Sequence, residues 1–89
     1  MTRIVAFTRI VAFTRTEVTV EVDGVRKTYT AGQTYAGRRA GRFAVLGFRD
    51  ISGDPALRSL STVIADTKAV GPNGELGRGK CPMTLDCFA

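Results

Sequence analysis

The chain has 89 residues, 44% of them hydrophobic, which is enough for one small core and too apolar for disorder throughout. Its net charge is +5, and it contains no His, the usual general base for a Ser or Cys nucleophile, so the composition predicts a non-enzymatic protein. No apolar run approaches the roughly 20 residues that span a membrane. Arginine also interrupts the N-terminal apolar stretch every six residues. We therefore expect no membrane partner and a cytoplasmic location.

A hexapeptide is repeated without change at the N-terminus. Thr-Arg-Ile-Val-Ala-Phe occupies residues 2–7 and again residues 8–13, and Thr14 and Arg15 begin a third copy. Both copies place the same side chains on the same face of a strand, whereas helical spacing leaves no apolar stripe. The segment lacks the Gly, Pro, Asn or Asp of a tight turn, so residues 1–15 are expected to form an extended strand or arm. This strand is expected to continue in phase with the alternating residues that follow.

Identical strands pair with each other without mismatched side chains, so the repeat also predicts self-association. We expect a homo-oligomer formed by strand pairing, in which the partner of the N-terminal strand lies in a neighbouring chain. The predicted contact residues are the large apolar side chains of both copies: Ile4, Val5, Phe7, Ile10, Val11 and Phe13. The arginine in each copy counters amyloid-like stacking.

Residues 17–30 have the pattern of a β-hairpin. Apolar and polar residues alternate over 17–22, Asp23-Gly24 is a favoured two-residue type I′ turn, and 25–30 form the returning strand. The predicted register places Val22 opposite Val25, Glu21 opposite Arg26 and Val18 opposite Tyr29.

The remaining elements indicate a mainly β protein, a small antiparallel barrel or sandwich. Residues 33–35 form a short extended piece, and 42–49 form a strand that is apolar on both faces and therefore central. Asp54 as N-cap and Pro55 at the first position predict a short helix near residues 55–66, with a strand as the alternative. After a turn at 71–74, residues 77–89 are expected to be an irregular tail. The predicted division is an N-terminal strand or arm (1–15), a β-rich domain (16–76) and the tail (77–89).

The middle of the chain is a basic block. Residues 24–49 contain six basic residues and no acidic residue. The arginine guanidinium donates two hydrogen bonds to one phosphate, and aromatic rings stack on the bases of single-stranded nucleic acid. The predicted nucleic-acid-binding residues, for DNA or RNA with low specificity, are Arg26, Lys27, Tyr35, Arg38, Arg39, Arg42, Phe43 and Arg49. The alternative is a hairpin loop whose arginines are only solvated.

Two motifs near the C-terminal end of the sequence give weaker evidence of function. Residues 74–80 have the spacing of a phosphate-binding P-loop, but Cys81 replaces its Ser or Thr and Pro82 opposes the following helix, so the match is attributed to chance. Two cysteines without a His cannot complete a structural zinc site. Cys81 and Cys87 are therefore expected to be reduced, with a disulfide as the alternative, and no metal or cofactor is expected.

Three functions follow, in order of preference. The first is binding of nucleic-acid phosphates by the basic block, with self-association through the N-terminal strand. The second is a structural, self-assembling subunit such as a viral or phage coat or decoration protein, which would be located in the virion. The third is an inhibitor that binds an acidic protein surface.

Overall fold

The computed structural model describes residues 8–88, which form two packed antiparallel sheets. The three-stranded sheet contains, in spatial order, β1 (Thr8–Phe13), β2 (Glu17–Val22) and β3 (Val25–Thr30). The four-stranded sheet contains β4 (Thr34–Ala36), β5 (Arg42–Asp50), β6 (Val63–Val70) and β7 (Cys81–Thr84). The predicted mainly β fold is confirmed as a sandwich, because the two sheets do not close into a barrel.

The core lies between the two sheets. Its buried residues come from both sheets and from the C-terminal segment: Val18, Val20, Tyr29, Val45, Phe48, Val63, Ala65, Leu85 and Phe88. The central position predicted for residues 42–49 is confirmed, since β5 pairs with β4 on one side and β6 on the other.

The predicted hairpin is confirmed in detail. Val22 pairs with Val25, Glu21 with Arg26 and Val18 with Tyr29, as expected. Asp23 and Gly24 both have positive φ, 51° and 82°, as a type I′ turn requires. The alternation of residues 17–22 therefore buries one face of β2 in the core.

The predicted continuation of the N-terminal strand into β2 is wrong, because the chain reverses after Phe13. The Thr14 hydroxyl accepts a hydrogen bond from the Glu17 N–H at 2.9 Å, and the Thr14 N–H donates to the Glu17 carbonyl at 2.8 Å. A threonine side chain thus supplies a turn that contains no Gly, Pro, Asn or Asp. The second copy of the repeat forms β1 and pairs with β2 of its own chain. Residues 1–7, with the first copy, lie outside the described residues.

A β-bulge in β1 changes which of its residues face the core. Strict alternation places Ile10 and Phe13 on opposite faces of a strand. The register shifts between Ile10 and Ala12, leaving Val11 as the extra residue, and both Ile10 and Phe13 pack against the core. Over 8–13 the repeated segment is therefore a strand that packs one face on the core rather than a free arm.

The short helix predicted near residues 55–66 is wrong, although its predicted start is correct. The Asp54 carboxylate accepts a hydrogen bond from the Ala56 N–H at 2.9 Å, but the helical segment is a single 3₁₀ turn, Pro55–Leu57. The chain then enters β6 at Val63, where β-branched residues favour a strand. Within residues 8–88, no helix has the length and apolar character to cross a membrane.

The irregular tail predicted for residues 77–89 is also wrong over most of its length. Residues 81–84 form β7, which pairs with β6, and Leu85–Cys87 form a 3₁₀ turn. Leu85 and Phe88 are 1% and 5% exposed and belong to the core. Since these contacts join residues far apart in the chain, no local sequence signal predicted them.

Candidate nucleic-acid interface

The predicted nucleic-acid-binding residues do not form one surface. The basic residues are divided among β3 (Arg26, Lys27), the loop between β4 and β5 (Arg38, Arg39) and the two ends of β5 (Arg42, Arg49). These four places differ in the number of carboxylates beside the basic residues, and that number determines how much positive charge is available to a ligand.

Two of the predicted arginines are paired with carboxylates. The Arg26 Nε lies 3.1 Å from the Glu21 carboxylate, and the Arg9 Nε lies 3.1 Å from its other oxygen. Hydrogen bonds from Arg26 and then Arg9 hold the pKa of Glu21 below its usual value. On the four-stranded sheet, two nitrogens of Arg49 bind the Asp66 carboxylate at 3.1–3.3 Å. Arg26 and Arg49 therefore have less positive charge available to a ligand than the sequence suggests.

Arg38, Arg39 and Arg42 are exposed and form no such pair. No carboxylate of the described residues lies within 4.0 Å of their guanidinium nitrogens. Arg42 Nη2 donates one hydrogen bond to the Thr34 hydroxyl at 3.2 Å. Their remaining donors face solvent, where phosphate oxygens can accept them.

A fourth basic residue, Lys68, lies beside Arg42 and was not predicted. Lys68 pairs with Ala44 across the β5–β6 ladder, so it is the diagonal neighbour of Arg42, roughly 7–8 Å away. It alternates with the buried Thr67 and therefore lies on the outer face. We name Arg38, Arg39, Arg42 and Lys68 the unpaired basic cluster.

A groove of about 380 Å³ lies beneath the loop between β4 and β5. Its lining residues include the apolar Phe43 and Met83 and the charged Arg38, Arg39 and Asp86. Gly37, Ala40 and Cys87 complete the lining.

The C-terminal segment holds this loop in place. The Arg38 N–H donates to the Cys87 carbonyl at 2.6 Å, and Gly37 forms a β-bridge with Phe88. The loop itself is closed by the Gly37 N–H, which donates to the Gly41 carbonyl at 2.9 Å. The groove therefore has walls of defined position, although they come from distant parts of the chain.

The two predicted stacking residues lie mostly inside the protein. The Tyr35 hydroxyl accepts a hydrogen bond from the Thr30 N–H at 2.7 Å, and its ring centroid is 5.0 Å from that of Tyr29 and 6.1 Å from that of Phe88. This placement argues against base stacking on Tyr35, because its ring is engaged in the core. Phe43 packs against the core and also lines the groove, so it frames the site.

A second cavity, of about 370 Å³, is built around an internal ion pair. The Arg58 Nε lies 2.8 Å from the Asp50 carboxylate, whose side chain is 8% exposed, and the Arg58 guanidinium lies 4.3 Å from the centre of the Phe13 ring. Hydrogen bonds from Ser52 and then Arg58 lower the pKa of Asp50 to about 2. The pair joins β5 to the loop before β6 and to β1, which is a structural role.

Cys81 and Cys87 are free thiols, both half-buried, and Cys87 lines the groove. Over residues 8–88, no group of three or more His, Cys, Asp or Glu side chains is placed to hold a metal ion.

Comparison with known proteins found no matching family model, no matching curated protein and no matching solved structure.

Proposed function

We propose that the protein is a non-enzymatic binder of single-stranded nucleic acid that contacts phosphates through the unpaired basic cluster. The observation that carries this proposal is the gathering of four basic side chains, without carboxylate partners among the described residues, at one end of the four-stranded sheet. Arg38 and Arg39 lie on the loop, and Arg42 and Lys68 continue the positive surface onto the outer sheet face. A strand of nucleic acid crossing this end would meet cations at successive phosphates.

Phosphate binding costs less free energy at the unpaired basic cluster than at the arginines that are paired with carboxylates. An arginine that has no carboxylate partner exchanges only water for phosphate. Arg26 and Arg49 would have to give up or share Glu21 and Asp66, and those carboxylates repel the phosphate. Release of counterions from the nucleic acid supplies most of the affinity and makes it depend on salt.

Binding of random-sequence single-stranded DNA and RNA, measured by fluorescence anisotropy over a range of salt concentrations, tests the proposal. We expect the triple variant Arg38→Gln, Arg39→Gln, Arg42→Gln to bind roughly 100-fold more weakly at low salt, at about 1 kcal/mol for each lost contact. The slope of log K against log salt should flatten by about 2, since each phosphate contact on a single strand contributes about 0.7.

A charge-matched variant controls for net charge. Arg9→Gln, Arg26→Gln, Arg49→Gln makes the same change of three charges in the net +5 but removes only arginines that are paired. It should lose less than about tenfold in affinity and keep most of the salt slope. Equal losses in the two triple variants, or no salt-dependent binding of wild-type protein, would refute the proposal.

A second candidate function, a self-assembling structural subunit, is favoured by the position of β1. Among the described residues β1 is an edge strand, and residues 2–7 repeat its sequence. An edge strand offers free backbone donors and acceptors to a further strand, such as one from a second copy of the chain. Native mass measured at several concentrations should show oligomers that dissociate on deletion of residues 2–7. A protein that remains monomeric at all concentrations would exclude this candidate.

A further inference from the structure

We propose that the groove beneath the β4–β5 loop binds one unpaired base of the nucleic acid and prefers guanine. This inference rests on the proposed function, and it adds a base-specific pocket to the phosphate contacts. The pocket residues that carry the argument are Phe43, Met83, Asp86, Arg38 and Arg39.

The size and apolar lining of the groove suit a flat aromatic ligand. Its volume of about 380 Å³ falls within the range of roughly 300–1,000 Å³ that is typical of small-ligand sites. Phe43 offers part of an aromatic ring and Met83 a polarizable thioether, and both make favourable contacts with the face of a base.

The polar groups of the groove complement guanine better than the other bases. The Asp86 carboxylate only accepts hydrogen bonds, and guanine alone presents two adjacent donors, N1–H and the N2 amino group, to a carboxylate. Arg38 and Arg39 only donate, and they match the O6 and N7 acceptors of guanine. On the pairing edges of adenine and cytosine, an acceptor nitrogen adjoins the amino group and repels a carboxylate. Uracil and thymine offer a single N–H between two carbonyls.

The Asp86 carboxylate is restrained at the wall of the groove by its own hydrogen bond and by the anchored turn that carries it. Asp86 lies in the 3₁₀ turn Leu85–Cys87 and accepts a hydrogen bond from the Thr84 hydroxyl. Leu85, immediately before it, is 1% exposed and anchors the turn in the core. The Cys87 carbonyl accepts from the Arg38 N–H, so the acidic and basic walls are tied to each other.

An acidic residue in a basic site has an effect opposite to that of its neighbours on phosphate binding. Asp86 repels the nucleic-acid backbone, so its removal should strengthen binding that does not depend on the base. If Asp86 reads guanine, the same removal should abolish the preference for guanine. A variant that gains affinity for the backbone and at the same time loses the preference for guanine therefore separates base recognition from a general change of charge.

The experiment compares a nine-residue oligothymidylate with the same oligonucleotide carrying one central guanine, adenine or cytosine. Wild-type protein should bind the guanine oligonucleotide about tenfold more tightly than the others, as one bidentate base contact provides. In Asp86→Asn this preference should disappear, while binding of the oligothymidylate becomes tighter. Glu17→Gln, which makes the same change of charge on an exposed residue of β2, should retain the full preference.

The outcomes distinguish this inference from the proposed function. Salt-dependent binding of all four oligonucleotides with equal affinity would overturn the guanine pocket and leave the phosphate contacts in place. A guanine preference that survives in Asp86→Asn would overturn it as well. Absence of binding at low salt would overturn both. Thermal unfolding of each variant shows that it is folded, which is expected for Asp86→Asn because the asparagine carbonyl can still accept from Thr84.

Discussion

Two arginine-containing regions of this protein differ in how much positive charge is available to a ligand. On the three-stranded sheet, the register places Glu21 directly between Arg9 on β1 and Arg26 on β3, and the carboxylate pairs with both. On the four-stranded sheet, Arg42 lies between Ala36 and Val70, neither of which can offset its charge. Cross-strand register, rather than the number of arginines, therefore determines which arginines have a carboxylate beside them.

The two regions also differ in what holds them in place. The three-stranded sheet is built from hairpins whose turns lie within a few residues, at Thr14 and at Asp23-Gly24. The loop that carries Arg38 and Arg39 is instead fixed by the C-terminal segment through Cys87 and Phe88. The unpaired basic cluster therefore depends on contacts between distant parts of the chain.

The largest expected effect comes from removing the anchor of this loop. Phe88→Ala deletes a ring that is 5% exposed and whose centroid lies 5.6 Å from that of Tyr29. We expect the free energy of unfolding to fall by about 3–5 kcal/mol, as for other buried phenylalanines, measured by urea denaturation. Leu57→Ala is the control, since Leu57 is 63% exposed and its truncation should cost less than about 0.5 kcal/mol. Similar losses in the two variants would show that the C-terminal segment is not part of the core.

A smaller effect is expected from adding one methyl group to the loop. A Cβ at Gly37 would lie 2.8 Å from the Phe43 Cε2 and 2.9 Å from the Ala40 carbonyl oxygen. Because backbone and a packed ring must both move, Gly37→Ala should destabilise the protein by about 1–3 kcal/mol in urea denaturation and weaken oligonucleotide binding. In Gly79→Ala the added Cβ meets no atom within 4 Å, so stability should be unchanged or slightly raised. A neutral Gly37→Ala would contradict the close packing of the loop.

The half-buried ion pair between Arg58 and Asp50 predicts a specific pH dependence. The pKa of Asp50 is about 2 in the folded protein and about 3.9 in an unfolded chain, so the unfolded state binds the proton first as the pH falls. Its contribution to stability is therefore complete above about pH 4 and is lost as the pH falls toward 2. The difference in urea midpoint between wild type and Asp50→Asn should shrink over this range, while the other carboxylates titrate in both proteins. A difference that is constant between pH 5 and pH 2 would contradict the lowered pKa.

Local patterns predicted much of the fold. The hairpin over 17–30 was predicted to the residue because its turn and alternation are encoded within a few positions. The Thr14 turn was missed because it depends on a hydroxyl that bonds the backbone of Glu17, which sequence alone does not reveal. β7 was missed because Cys81–Thr84 gains its stability from β6, more than ten residues away, and from burial of Leu85.

The candidate site was predicted only in part, for the same reason. Arg38, Arg39 and Arg42 stand together in the sequence and were found as a basic block. Lys68 joins them only through the β5–β6 register, and Asp86 only through the C-terminal segment. The alternation of Asp66 and Lys68 with the uncharged residues Ala65, Thr67 and Ala69 along β6 was the signal that could have placed Lys68 on the outer face.

The smallest effect is expected when the carboxylate that pairs with the arginines of the three-stranded sheet is removed. Glu21→Gln removes the carboxylate that Arg9 and Arg26 share, and their exposed guanidinium groups then become available to phosphate. If pairing is what limits the three-stranded sheet, affinity for single-stranded nucleic acid at low salt should rise about fivefold, and the salt slope should steepen by roughly 0.7, as for one added phosphate contact. Glu17→Gln changes the net charge equally, but Glu17 forms no ion pair with a described residue, so its effect should be smaller. Equal gains in the two variants would mean that net charge, and not register, controls binding.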